Sequence, residues 1–169
     1  RLGNGPYPGL TMKLVDNFSL RAVRHPQDNR QGEYEILFDG NATGILVPYC
    51  VIEAAIDADE GRFLLFLTDD VPFEEILHIA LIHLQQGMLE MISLGGIYTT
   101  GSFTRLKVED NAVHFHFIGD TTWTVRIAEK PFFRLPFTGD PRGTGRPFAL
   151  KHHILISANP PPARADGSR

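Results

Sequence analysis

Two histidines and an aspartate in the second half of the chain have the spacing of a metal site. His114 and His116 are separated by one residue, and Asp120 follows them. Side chains alternate across a β-strand, so both imidazoles would lie on one face, where two nitrogens can bind the same ion. With Asp120 as a third ligand, such a site could activate water in a metal-dependent enzyme.

The residues between these histidines predict an orientation that disfavours a metal site. Val113, Phe115 and Phe117 alternate with the two imidazoles, and the apolar face of such a strand turns towards the core. The pair is similar to the first metal motif of the cupin barrels, where a Glu follows the His-x-His. The Gly ahead of that motif and its second half are missing here. We therefore assign no family and predict neither a metal nor another cofactor.

Negative charge is concentrated in one part of the chain. Residues 32–75 contain eleven acidic and one basic side chain, although the net charge of the whole chain is only −4. A strand over 62–68 would place two acidic loops at its opposite ends, about 20 Å apart. Each loop would attract a basic protein partner. The predicted protein-binding residues are Asp57, Asp59 and Glu60 in the first loop, and Asp69, Asp70, Glu74 and Glu75 in the second.

Other motifs with a recognised chemistry are absent from the sequence. There is no phosphate-binding glycine loop and no nucleophile elbow. The segment from Asp57 to Gly61 lacks the closing Glu of a calcium loop. His78 and His83 differ by an odd number of positions, so on one strand they would face opposite sides. Basic residues are too diffuse for nucleic acid to be the main ligand. These observations favour a protein that is not an enzyme.

Alternating hydrophobic residues between turn signals predict the fold. We expect an all-β antiparallel sandwich or barrel of roughly ten short strands. The segment from Ile76 to Leu84 is apolar on both faces, which favours a strand buried on both sides. The alternative is one short helix near 73–84, since Pro72 could begin it.

Length and composition predict a single domain. The chain has 169 residues, and we place a tail at 1–12, one β domain at 13–157 and a disordered tail at 158–169. The one cysteine, Cys50, excludes an internal disulfide; we expect it to be a buried core residue in a cytoplasmic protein. No stretch approaches the ~20 apolar residues that span a membrane.

Two functional hypotheses follow from these patterns. The first is a non-catalytic protein-binding module, such as an inhibitor or a toxin-neutralising immunity-type protein, which holds a basic protein through its acidic loops. The alternative is a small β-barrel metal-dependent enzyme or ligand binder that uses the His-x-His strand. A homodimer that forms through an exposed edge strand is compatible with either hypothesis.

Overall fold

The computed structural model describes residues 11–69, 75–95, 101–133, 139–146, 151–163 and 168. Within these residues every regular element is a β-strand and every strand pairing is antiparallel, as predicted. The strands are β1 (Lys13–Val15), β2 (Phe18–Arg24), β3 (Glu33–Phe38), β4 (Asn41–Val47), β5 (Val51–Asp57), β6 (Arg62–Thr68), β7 (Leu77–His83), β8 (Gly87–Leu94), β9 (Thr104–Val108), β10 (Val113–His116), β11 (Thr122–Phe133), β12 (Thr144–Gly145) and β13 (Lys151–Asn159).

Three sheets stack in layers. The central sheet has the order β1-β5-β6-β7-β8-β12, and it lies between a four-stranded sheet, β13-β11-β10-β9, and a three-stranded sheet, β2-β3-β4. One hydrophobic cluster joins the central sheet to the four-stranded sheet. A second cluster joins its other face to the three-stranded sheet. The layered arrangement is that of a sandwich, one of the two predicted architectures.

Strands β6 and β7 are buried on both faces. Leu64 belongs to the first cluster and its neighbour Leu65 to the second, and both are fully buried. The same alternation occurs at Ile79 and Ala80 in β7. A strand that must fill two cores is apolar at nearly every position, which is why this segment has no simple period in the sequence.

The strand favoured for Ile76 to Leu84 is confirmed, and the alternative of a short helix near 73–84 is wrong where the structure tests it. Leu77–His83 forms β7, which pairs with β6 on one side and β8 on the other. Two neighbouring strands satisfy its backbone hydrogen bonds, and both of its faces are needed for the two cores. Residues 73 and 74 lie outside the described residues.

The hairpin of β10 and β11 confirms the predicted alternation. Val113 and Phe115 are fully buried, and they face Val125 and Trp123 across the pair. The intervening His114 is half-buried and belongs to the other face.

Other elements depart from the predicted details. Strand β2 has no clear period, because residues 21–24 are all exposed. Strand β13 continues to Asn159, two residues beyond the predicted end of the domain. Cys50 is half-buried rather than buried. Among the described residues, we find no helix with the length and apolarity needed to cross a membrane.

Candidate functional site

The first acidic loop forms a tight turn between β5 and β6. Asp59 and Glu60 both have left-handed backbone conformations, with φ of 66° and 58°. The Asp59 amide donates a hydrogen bond to Oδ1 of Asp57 (2.9 Å), and the Thr11 hydroxyl donates to Oδ2 of Asp59 (3.0 Å). These hydrogen bonds stabilise the turn, so the carboxylates of Asp57 and Asp59 have a structural role. Only Glu60 has an exposed side chain among the three acidic residues.

The second acidic loop begins at the opposite end of β6, as predicted. Asp69 is half-buried beside Tyr49, and burial raises the pKa of its carboxyl. Glu75 is half-buried just before β7. Asp70 and Glu74 lie outside the described residues. The two loops are therefore separate sites, joined by the seven residues of β6.

The two imidazoles of β10 contact threonines on the neighbouring strand. Nδ1 of His114 lies 2.8 Å from Oγ1 of Thr124, and Nε2 of His116 lies 3.0 Å from Oγ1 of Thr122. Nε2 of His114 is also 3.4 Å from Oε1 of Glu109, and this contact lowers the pKa of Glu109. The described part of the chain contains no group of three His, Cys, Asp or Glu residues placed to hold a metal ion.

A cleft of about 790 Å³ brings three of the predicted residues together. Glu75 from the second acidic loop lies in its wall with His116 and Asp120. We call this site the His116 cleft. Its rim is exposed at Ser102 and Thr104. A cavity of this size is within the range of ligand sites in proteins. The other described residues of its lining are Gly101, Arg105, Phe117 and Gly119.

A bulge in β9 places Arg105 at the cleft. Thr104 pairs with His116 and Lys107 with His114, so β9 has one residue more than β10 between these pairs. Arg105 lies at this irregularity with a left-handed φ of 54°. Such a conformation is unfavourable for a residue other than glycine, and it is often found at functional sites. The bulge redirects an exposed cation to a wall that otherwise carries acids.

Gly101 gives the cleft a second fixed wall. A Cβ atom at this position would lie 2.5 Å from the carbonyl oxygen of Phe117, which is too close for any side chain. The Ser102 amide donates a hydrogen bond to the same oxygen (2.9 Å). The segment is therefore packed directly against the end of β10.

The sequence identifies Glu75, His116 and Asp120 as candidate residues, but it does not predict that they line the same cleft. In the sequence, His116 and Asp120 are only weak candidates for a metal, and Glu75 is predicted for a protein contact, so their common location depends on sheet packing. Arg105 gives no signal in the sequence, because nothing marks a bulge at a residue that is not glycine. Comparison with protein families, with curated proteins and with solved structures finds no match to this chain.

Proposed function

We propose that the protein is a non-catalytic binding module that holds a basic segment of another protein, with the His116 cleft as its main contact. The observation that supports this proposal is that Glu75 and Asp120, two acidic residues, line the same cleft. A Lys or Arg side chain of the partner would lie between these acids. The charge-rich segment 32–75 supplies longer-range attraction.

The shape of the site favours a polypeptide segment over a single small ion. The cleft is exposed along Ser102, Thr104 and Asp120, so an extended chain can enter from solvent. Hydroxyl groups at this rim can donate to or accept from a partner's backbone. The first acidic turn, where Glu60 is exposed, offers a second contact at the far end of β6.

The proposal is tested by capture of the partner with matched variants. The tagged protein, a Glu75→Gln/Asp120→Asn variant and a Glu60→Gln variant are used for pull-down from the source cell. We expect a specific basic protein on the wild type and its loss from the cleft variant, with a smaller loss from the turn variant. If both variants retain every specific protein that the wild type retains, the acidic residues have no role in binding.

An inhibitory or toxin-neutralising role is a narrower form of the same proposal. Acidic residues that neutralise a basic active-site surface would block it without any chemistry of their own. A cytoplasmic setting, favoured by the single cysteine, belongs to this form. Addition of the purified protein to the captured partner should reduce the partner's activity in proportion to the bound fraction, whereas full activity of the saturated complex would exclude inhibition.

Self-association is favoured by one observation, the exposed edge of the three-stranded sheet. Strand β2 has a neighbour only at β3 among the described strands, and residues 21–24 along it are exposed. A second copy could pair with this edge. Light scattering at several concentrations should then give a mass that rises towards the dimer, while a constant monomer mass would exclude it.

A further inference from the structure

A second cavity, of about 340 Å³, lies on the other face of the central sheet. Its wall includes Tyr49, His78, Ser93, Gly145 and Arg146, and we call it the Tyr49 pocket. Among the described residues, the linings of the Tyr49 pocket and the His116 cleft have none in common.

Strand register explains why these side chains meet. Leu67, His78, Ser93 and Gly145 are successive partners across β6, β7, β8 and β12. Directly paired residues have side chains on the same face of a sheet. Leu67 belongs to the second hydrophobic cluster, so His78 and Ser93 extend the face that this cluster covers.

Two parallel rings form one wall of the Tyr49 pocket. The ring centroids of Tyr49 and His78 are 3.7 Å apart, and the planes differ by 13°. Tyr49 lies in the connection between β4 and β5, so a loop side chain is fixed against the central sheet. The thioether of Met91 is a further part of this lining, and its polarizable sulfur suits contact with aromatic ligands.

Apart from Arg146, the polar side chains named in the pocket are uncharged at neutral pH. Burial lowers the pKa of His78 to about 4, so its imidazole is neutral and offers one donor and one acceptor. Burial also raises the pKa of Tyr49, whose hydroxyl stays protonated. Arg146 is the one cation among the described residues of the wall, and its guanidinium already donates to Asp140 (2.7 Å) and Glu90 (2.9 Å).

The backbone at Gly145 lies close to the Ser93 hydroxyl. A Cβ atom at Gly145 would lie 2.8 Å from Oγ of Ser93. The absence of a side chain at Gly145 leaves space next to the Ser93 hydroxyl that a Cβ would fill. Ser93 is half-buried and can both donate and accept.

We propose that the Tyr49 pocket binds an uncharged, planar nitrogen heterocycle of nucleobase size. Because the rings of Tyr49 and His78 pack face to face, a planar ligand would stack on the outer face of this pair or contact the ring edges. Ser93, His78 and the hydroxyl of Tyr49 provide donors and acceptors that match ring nitrogens and their substituents. The volume admits one or two fused rings. An anion is disfavoured because Arg146 is already paired with two carboxylates, Glu90 and Asp140. This inference does not rest on the proposed protein-binding function.

The test is a titration of the ¹⁵N-labelled protein with adenine and cytosine, followed by amide chemical shifts. We expect saturable shifts at Ser93 and Gly145. Phenol, which has the ring but no ring nitrogen, should bind at least several-fold more weakly, and benzoate should not bind. No saturable shift around the pocket with either base would overturn the proposal, as would equal affinity for phenol.

Variants separate recognition from folding. Tyr49→Phe keeps the ring and Ser93→Ala keeps the strand, and each should raise the Kd about threefold to tenfold, the effect of one hydrogen bond. The matched controls Tyr34→Phe and Ser19→Ala change the same groups outside the pocket and should leave the Kd unchanged. Equal Kd values for pocket and control variants would contradict the assignment. The Glu75→Gln/Asp120→Asn variant should bind both bases normally, so failure of one proposal is distinct from failure of the other.

Discussion

His78 illustrates how one half-buried side chain departs from its ordinary behaviour. It is opposite Ser93 in the central sheet and stacks on Tyr49. Burial disfavours the charged imidazole and lowers its pKa from 6.5 to about 4. Asp69, near the same tyrosine, has a raised pKa for the same physical reason. Titratable groups whose pKa is shifted by burial often lie at functional sites.

A pH-dependent stability follows from His78. Between about pH 6.5 and pH 4 the unfolded chain binds a proton at His78 that the folded chain does not bind. The free energy of unfolding should therefore fall as the pH falls through this interval, by on the order of 1–2 kcal/mol after allowance for partial exposure. His78→Phe should lose less stability on acidification than the wild type, as measured by denaturant unfolding at several pH values.

Comparing the pH profiles of the wild type and His78→Phe separates the effect of His78 on stability from the effects of other titratable groups. The raised pKa of Asp69 has the opposite sign, since the protonated carboxyl is the form that the fold favours, but it affects both proteins. Identical pH profiles for wild type and His78→Phe would show that His78 does not titrate differently in the folded state.

The left-handed backbone conformation of Glu60 predicts how substitutions at this position change the stability of the protein. Its φ of 58° is unfavourable for a side chain with a Cβ. Glu60→Gly should raise the free energy of unfolding by about 0.5–1 kcal/mol, because relief of this strain exceeds the entropy that glycine adds to the unfolded chain. Glu60→Gln removes the same charge without the conformational change and should be nearly neutral in the same denaturation experiment. A Gly variant no more stable than the Gln variant would indicate an unstrained turn.

At the scale of elements, a buried ionic network joins two sheets. Glu90 of β8 accepts hydrogen bonds from His152 (2.6 Å) and Arg146 (2.9 Å), and from the amide of Ile154 in β13 (2.6 Å). Arg146 in turn donates to the carbonyl oxygen of Ile154 (2.7 Å). Side chains thus satisfy backbone groups of an edge strand that would otherwise lack partners.

Removal of the central carboxylate should be costly. Glu90→Gln leaves the β13 amides and His152 without a charged acceptor in a buried site, while Arg146 keeps only the Asp140 carboxylate as a charged acceptor. We expect a loss of about 3–5 kcal/mol in unfolding free energy. The control is Glu33→Gln, whose half-exposed pair with Arg24 should contribute less than about 1 kcal/mol. Equal decreases in unfolding free energy for Glu90→Gln and Glu33→Gln would show that the network does not stabilise the packing of the two sheets.

At the scale of the whole molecule, the central sheet supports two cores. Leu64 and Leu65 are consecutive and fully buried in different clusters. Truncation of either to Ala should therefore cost about 2–5 kcal/mol, as measured by chemical denaturation. Leu46→Ala, at a side chain that is 50% exposed, serves as the control and should be nearly neutral. A small effect at either Leu64 or Leu65 would mean that only one face of the sheet is a core.

Much of this architecture is predictable from alternation, while the sites are not. The pattern around Val113 and Phe115 is sufficient to orient His116 away from the core, because strand orientation is a local property. The contact between Tyr49 and His78 depends on where a loop packs against a distant strand. Likewise, Glu90 meets His152 across 62 positions of sequence, and the bulge at Arg105 has no local signal. Long-range packing thus decides which predicted residues share a site.

The affinity of the captured partner for cleft variants tests the central claim most directly. At low salt, Glu75→Gln/Asp120→Asn should raise the Kd at least tenfold, while Arg105→Gln should lower it, because that change removes a cation from a site for a basic segment. Opposite shifts from these two variants, each reduced at high salt, are the result that the binding proposal predicts. Unchanged Kd values for both variants, or equal weakening by both, would contradict it.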